Sequence, residues 1–386
     1  MDTGSLRPTV VEVSLARLAE NFRAIQAAVA PAAVMPIVKA NAYGHGLVPV
    51  ARHLASLGAG SLGVAFLEEA VALREAGIAT PILVMGGIFG DQIPIFLRHG
   101  LTLTASSIDK LRQIDEIAGR LGVTATVHLK IDTGMERIGV HYYNARGLLE
   151  RAADCPHVRV EGIYSHFANA DSEDLTSARL QLARFLEVLE WYDKQGLTPP
   201  VRHMANSGAV LQLRESHLDL VRPGILLYGV YPSMEVRKTI PVKPALSLRS
   251  RVVYFKVVTP GHPVSYGSTW QSDHQVRVVT VPVGYGDGYF RALSNVAHVL
   301  IRGRKYPVVG RVCMDQIMVN IEWETAYNDD VVTLLGADGD ELITCEHLAE
   351  WAGTIPYEVL TSLNTRIPRV YVQEGPPSEV KEGAPS

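Results

Sequence analysis

From about residue 14 to residue 225 the chain alternates short apolar runs with longer amphipathic segments, and this alternation narrows the possible folds more than any other feature. The short runs fall at 35–39, 61–66, 81–85, 101–105, 124–131, 158–164, 201–205 and 218–222. The longer segments, at 15–29, 67–77, 109–120, 146–153 and 178–194, carry apolar residues at i, i+3, i+4 and i+7, as in Leu182, Phe185, Leu186 and Leu189. A strand followed by a helix that covers one face of the sheet leads to a parallel neighbour. Eight such units over roughly 200 residues predict an α/β fold with a (β/α)8 barrel of the TIM type. The competing doubly wound sheet lacks its signature, because no Gly-x-Gly-x-x-Gly follows the first run.

After Pro244 the texture changes. Runs at 246–258, 276–283, 296–301, 306–314, 316–321 and 331–335 read as strands bounded by Gly, Pro, Asp and Asn. Helical patches are expected only at 345–351 and 357–365. The domain expectation is a barrel over 10–242 and a mostly β domain over 243–375, with residues 1–9 pairing onto the latter. The Pro/Gly/charge-rich tail 376–386 is expected to be disordered.

A net charge of -4 without a Lys/Arg-rich stripe argues against a nucleic-acid partner. No apolar run reaches the roughly 18 residues of a membrane span, and the N-terminus has no signal-peptide apolar core. Cys155, Cys313 and Cys345 show neither metal-ligand spacing nor a disulfide framework, so a cytoplasmic protein with no metal site is expected.

In such barrels chemistry gathers at the C-terminal ends of the strands. Lys39 ends the first run, where poor solvation favours a neutral, nucleophilic amine able to form a Schiff base with a carbonyl. Tyr43, Gly44 and Gly46 follow, and the glycines permit positive φ and close backbone approach. Lys130, Asp132 and Arg137 lie at or after the fifth run, and His166 follows the sixth. His203, Asn206 and Ser207 end the seventh run, and Arg222, Pro223, Gly224 and Ile225 end the eighth. Each has a bland reading taken singly: Lys39 a strand cap, His166 a core histidine, Arg222 a surface ion-pair partner, Asn206-Ser207 a helix cap. Polar groups at five strand ends together favour a site.

Six segments point further: Val38-Lys39-Ala40-Asn41-Ala42-Tyr43-Gly44-His45-Gly46, Lys130-Ile131-Asp132-Thr133-Gly134-Met135-Glu136-Arg137-Ile138-Gly139, Arg222-Pro223-Gly224-Ile225, Val264-Ser265-Tyr266-Gly267, Gly284-Tyr285-Gly286-Asp287-Gly288 and Gly310-Arg311-Val312-Cys313-Met314-Asp315-Gln316. With these in order, the chain resembles the alanine racemase family, pyridoxal-phosphate enzymes of fold type III, from Val11 to Tyr371. The resemblance implies a barrel followed by a β domain. It implies that Lys39 holds pyridoxal 5'-phosphate and then serves as a base on one face of the substrate. Tyr266, from the partner subunit of a head-to-tail homodimer, would serve the other face. Tyr43, Ser207 with neighbouring Asn206, the backbone of Gly224 and Ile225, and Tyr357 would hold the phosphate. His166 would pack on the pyridine ring, and Arg222 would face its nitrogen with His203 behind. Arg137 and the backbone of Met314 would meet the substrate carboxylate, and Tyr285 would narrow the pocket beside Cys313 and Asp315. Lys130 would carry a carbamate that holds Arg137. Glu136 where Gly is frequent, Gly286 where Ala is frequent, and Ser268-Thr269-Trp270 depart mildly from the family pattern.

Arginine opposite a pyridine nitrogen keeps its proton and makes a weak electron sink, which suits the removal and return of one proton. A decarboxylase on the same plan would need an acidic residue there. A cofactor carrier would need only the barrel and gives the second domain no task. The expectation is a cytoplasmic homodimer that interconverts L- and D-alanine for cell-wall peptide synthesis, with a racemase for serine or another small amino acid as the alternative.

Overall fold

A computed structural model describes residues 7–373; the expectations for residues 1–6 and for the tail 376–386 lie outside them. The chain forms two compact units. One takes Ala19–Leu227 and Tyr231–Val242, the other the residues up to Leu18, Tyr228–Val230 and the chain from Lys243.

In the first unit eight parallel strands close on themselves: Ala33–Val34, Leu62–Val64, Ile82–Val84, Leu103–Ala105, Ala125–Asp132, Val158–Tyr164, Val201–His203 and Leu220–Val221. Single bridges, Ile37 with Gly63 and Leu83 with Thr102, join the ladder where the regular strands stop short. Pairing of Leu220 with Ala33 and Val221 with Val34 completes the ring, so no strand edge is left open. The helices outside follow their local signals. Ile108–Leu121 starts where Ser107 accepts the Lys110 N–H and stops at Gly122 in the left-handed region. Helices Leu47–Ser56, Ile93–Arg98 and Ser207–Gln212 were not expected. Pro49 and Pro94 sit in first turns, where proline is tolerated but resembles a loop signal.

Strand Ala125–Asp132 is buried on both faces. Its odd-numbered apolar residues alternate with His128, Lys130 and Asp132, which share one face by the two-residue period. His128 stands opposite Gly162, and Lys130 opposite Tyr164, on the next strand.

In the second unit the sheet order is Arg304–Pro307, His298–Ile301, Val331–Asp338, Leu246–Arg251, Val10–Ser14, Arg369–Val372, with Glu341–Ile343 added to Val331–Asp338. Residues 10–18, which the sequence reading gave to the barrel, therefore belong here. Val10–Ser14 pairs antiparallel with Leu246–Arg251 and parallel with Arg369–Val372, burying Val11 and Val13. A second sheet combines Tyr254–Val258, Val276–Val281 and Ile317–Asn320. The run at 246–258 is thus two strands in different sheets, parting where Val252 bonds Asp330 and Val253 bonds Thr280. The run at 306–314 is strand only to Pro307; Gly310 has φ 73°, and Cys313 N–H closes a turn onto Gln316. All three cysteines are free thiols.

Candidate active site

The first barrel strand, Ala33–Val34, ends before the expected run 35–39, of which only Ile37 makes a bridge, and Lys39 opens a left-handed turn instead of ending a strand. Ala40, Asn41, Ala42 and Tyr43 have φ of 52, 55, 53 and 52°. Each such residue costs about 1–2 kcal/mol, so the surroundings must enforce the turn. Glu69 does much of this: Oε1 accepts Ala40 N–H at 2.6 Å, and Oε2 accepts those of Ala65 and Phe66 at 2.8 and 3.1 Å. Asn41 Oδ1 accepts Leu47 N–H at 2.8 Å from the other side. Burial lowers the pKa of the Lys39 amine, and the cations of Arg137 and Arg222 lower it further against the Glu69 carboxylate. The amine is therefore more readily neutral than an ordinary lysine.

Arg222 lies buried among acceptors. Nη1 donates to His203 Nδ1 at 2.8 Å, and Nη2 to the carbonyls of Ser165 and Met204 at 2.7 and 3.2 Å and to His166 Nδ1 at 3.3 Å. Burial pulls its pKa down to about 10, so it remains a cation at neutral pH. Tyr164 stacks on His203 with ring centroids 4.8 Å apart, and Lys130 Nζ stands 4.5 Å from the same tyrosine ring. Burial and neighbouring cations, Arg222 first, hold His166 and His203 well below the usual imidazole range, so both are neutral.

Tyr43 and Ser207 meet the turn after the eighth strand. Ser207 Oγ accepts the N–H groups of Gly224 and Leu226 at 2.9 and 3.3 Å, which leaves its own proton to donate outward. The Gly224 N–H thus lies against the Ser207 hydroxyl, which ties the two expected phosphate-binding positions together. What Gly224 contributes is its missing side chain beside the Tyr43 hydroxyl. Ile225 opens the turn Ile225–Tyr228, where a backbone N–H lacks an intrahelical acceptor. The Oδ1 of Asn206 caps Ser207–Gln212 by accepting Ala209 N–H at 3.1 Å, so its carboxamide oxygen is committed to structure.

The loop after the fifth strand is folded by Asp132. Its Oδ1 accepts N–H groups from Gly134, Met135 and Glu136 at 2.8, 3.0 and 3.2 Å, and its Oδ2 that of Arg137 at 3.1 Å. The Arg137 side chain is exposed, and among the described residues no carboxylate pairs with it. Lys130 is buried, with its pKa driven well below the ordinary lysine range by burial, then by Arg222 and Arg137.

The remaining expected residues belong to the second unit. Tyr266 is 72% exposed in a turn flanked by Ser265, φ 68°, and Gly267, φ 72°. It borders a cavity of about 740 Å³ with Ser265, His262, Thr280 and Cys313. Tyr285 N–H donates to Cys313 C=O at 3.0 Å and Gly286 N–H to Met314 C=O at 2.9 Å, so Tyr285, Cys313 and Met314 come together. Asp315 pairs with Arg366, which also reaches the buried Asp287 at 2.6 Å. Tyr357 lies half-buried on helix Pro356–Ser362.

A lysine with a lowered pKa stands at the barrel rim, and a buried arginine lies among acceptors in the same unit. The sequence matches "Alanine racemase, N-terminal domain" over residues 13–232 and "Alanine racemase, C-terminal domain" over residues 245–371. The chain belongs to the alanine racemase family. It is an amino-acid racemase, an isomerase, with that family's barrel and β domain. The alanine racemase of Carboxydothermus hydrogenoformans is 44% identical over 369 residues, covering 95% of this chain and 100% of the relative. The Bacillus anthracis alanine racemase structure with bound L-Ala-P has a TM-score of 0.89 at 37% identity, covering 95% of this chain and 96% of that one. The Bartonella henselae alanine racemase structure, with covalently bound pyridoxal phosphate, has a TM-score of 0.86 at 28% identity over 95% and 99% of the two chains.

Several racemase residues escaped the sequence reading. Glu69 looks like any acidic residue in a first helical turn, and nothing local reveals that it braces a turn elsewhere. Tyr164 and His128 face the barrel interior, and the two-residue strand period could have placed both beside Lys130 and His203. Asp287 sits inside a motif the reading quoted, but its partners Arg7 and Arg366 are remote in sequence.

Proposed function

We propose that the protein interconverts L- and D-alanine with pyridoxal 5'-phosphate, as a cytoplasmic homodimer that supplies D-alanine for cell-wall peptide synthesis. The observation that carries this reading is the Lys39 amine, held toward its neutral form by burial and by the cations of Arg137 and Arg222. The residues present suit the cofactor. The hydroxyl of Tyr43, packed against Gly224, together with the Ser207 hydroxyl and the Ile225 N–H, suits a phosphate, which needs several donors. The cation-rich surroundings of Lys39 call for an anion.

When bound, pyridoxal phosphate supplies an electron-withdrawing ring that stabilises the charge left on Cα as its proton departs. Lys39 would hold it covalently, with Tyr357 adding a hydroxyl at the phosphate, His166 covering the ring and Arg222 donating to its nitrogen. Lys39 Nζ then exchanges the α-proton on one face of the substrate, and Tyr266 Oη, supplied by the partner subunit, exchanges it on the other. Inversion follows because the proton leaves one face and returns to the opposite face. Arg137 and the Met314 backbone grip the carboxylate, while Tyr285 restricts the side chain to a small group. A buried amine kept neutral is the form that adds carbon dioxide, so Lys130 becomes a carbamate, releasing a proton and setting an anion beside Arg137. Val257, exposed and lining the same cavity as exposed Tyr266, supports a protein partner over that face.

Incubation of the cofactor-loaded protein with L-alanine in D2O tests the reading. D-alanine carrying α-deuterium supports it. Unchanged L-alanine with turnover of serine moves the substrate to the alternative. Site sharing has its own test: Lys39→Ala and Tyr266→Phe variants, each inactive, should regain activity on mixing and subunit exchange, because each hybrid dimer holds one intact pair.

A further inference from the structure

Four polar side chains form a file through the barrel interior, and only its upper end is used by the chemistry proposed above. Arg222 Nη1 donates to His203 Nδ1 at 2.8 Å, His203 Nε2 lies 2.8 Å from His128 Nδ1, and His128 Nε2 lies 3.5 Å from Glu161 Oε2. The tautomers are forced in turn. Arginine has no acceptor, so His203 Nδ1 must accept and its proton sits on Nε2. That N–H donates to His128 Nδ1, which leaves the His128 proton on Nε2, facing the carboxylate. Every donor therefore points from the guanidinium toward Glu161.

Arg222, His203 and His128 are buried, whereas half-buried Glu161 borders a cavity of about 360 Å³ with Met35, Leu83, Thr102 and Asp219. The backbone reserves room for the file: a Cβ on Gly162 would stand 2.4 Å from His128 Nδ1. The charged and titratable groups facing it are few. Arg159 reaches Glu161 Oε1 at 3.1 Å from outside. Tyr164 flanks His203, Lys130 and Lys39 lie near its upper end with Arg137, and His166 shares Arg222. In the cavity Asp219 is occupied by Arg202 at 2.8 Å.

We propose that Glu161 and His128 are positioning residues for Arg222: the carboxylate accepts the His128 Nε2–H at the far end of the file, holds both imidazoles in the tautomer and orientation that accept from Arg222, and thereby aims the guanidinium at the cofactor's ring nitrogen. The inference rests on the proposed role of Arg222 toward that nitrogen, but its first readout does not need the cofactor. In cofactor-free protein labelled with 15N-histidine, His128 and His203 should both appear as neutral Nε2–H tautomers. Glu161→Gln, whose amide can donate as well as accept, should admit the Nδ1–H form of His128 and, through their shared contact, shift the His203 signals too. Arg159→Ala, which frees Glu161 from its outward partner, should move the His128 signal the opposite way. In the loaded enzyme, Glu161→Gln should shift the absorbance of the bound cofactor and the pH profile of kcat. It should lower kcat about tenfold, the lower end of what outer partners of a site contribute, with little change in KM. An Nδ1–H tautomer on His128 in the native protein would overturn the proposal. So would a folded Glu161→Gln variant with unaltered histidine signals and cofactor spectrum. A protein that binds no pyridoxal phosphate sinks the proposed function instead, and the tautomers still decide the file.

Discussion

The Tyr43 hydroxyl fills the space that a side chain on Gly224 would need: a Cβ there would stand 2.2 Å from Oη and 2.9 Å from Cζ. Tyr43 is itself buried and held in a left-handed turn, so it has little freedom to retreat. Gly224→Ala is expected to destabilise the cofactor-free protein by about 1–3 kcal/mol, the usual range for overpacking. It should also weaken pyridoxal phosphate binding. Adding Tyr43→Phe removes the nearest atom and should recover part of the stability. Urea unfolding of both singles and the double variant closes the cycle, and simple additivity would contradict the clash.

Arg222 satisfies two carbonyls and two imidazole nitrogens with one planar fork. Lysine keeps the charge but offers one ammonium in place of that fork. Arg222→Lys should therefore leave at least one buried acceptor without a donor, at about 1–3 kcal/mol. Denaturant titration checks the size of the loss. A variant as stable as the parent would show that the fork is dispensable to the fold.

The barrel was legible because its helices repeat their apolar residues at 3.6-residue spacing, and Leu15–Val29 matches the expected bounds. The chemistry at the rim was legible because lysines, arginines and histidines fell at strand ends. Less legible was anything that depended on remote partners. The left-handed turn at 40–43 contains no glycine, and its brace, Glu69, lies beyond the next strand. The first strand, Val10–Ser14, has an ordinary alternating pattern that cannot reveal whether it pairs with barrel strands or with Leu246–Arg251. The break in the run 246–258 hides for the same reason: Val252 and Val253 are strand formers, and only their different hydrogen-bond partners separate the two sheets.

Buried His128 and His203 have pKa values below the ordinary imidazole value, chiefly through burial. The unfolded chain takes up protons at about pH 6.5, whereas the folded one resists them to lower pH. The contribution to stability is thus fully present above about pH 6.5 and is lost as the pH falls. Each histidine steepens the loss by up to about 1.4 kcal/mol per pH unit. Unfolding free energies at a series of pH values between neutrality and mild acid should show this slope, and His203→Gln should reduce it by one proton. Equal slopes in parent and variant would mean that His203 is already charged in the fold.

Glu69 acts on Lys39 in two ways, by bracing the turn and by drawing the amine toward its charged form. Glu69→Gln keeps one acceptor oxygen and removes the charge. The pH at which Lys39 becomes reactive toward a simple aldehyde should move down, since only opposing cations remain. Glu69→Ala should do the same and also loosen the turn, by about 1–2 kcal/mol. An upward shift in Glu69→Gln would show that the turn, not the charge, governs the amine.

Asp287 is shared by Arg7 and Arg366, each 2.6 Å away, while its Oδ2 also accepts the Gly284 N–H at 3.0 Å. Burial alone would raise its pKa, but the two guanidinium groups and the backbone N–H outweigh burial and hold the carboxyl below the ordinary range. Asp287→Asn leaves two arginines facing a neutral amide and should cost about 3–5 kcal/mol. Arg366→Gln should cost less, because Arg7 still meets the carboxylate. Both changes act on the turn that presents Tyr285 and locks Met314, so kcat/KM for alanine should fall in the same order as stability. Activity lost equally in the two variants, with stability lost only in Asp287→Asn, would place Arg366 in substrate handling through Asp315 and not in bracing the turn.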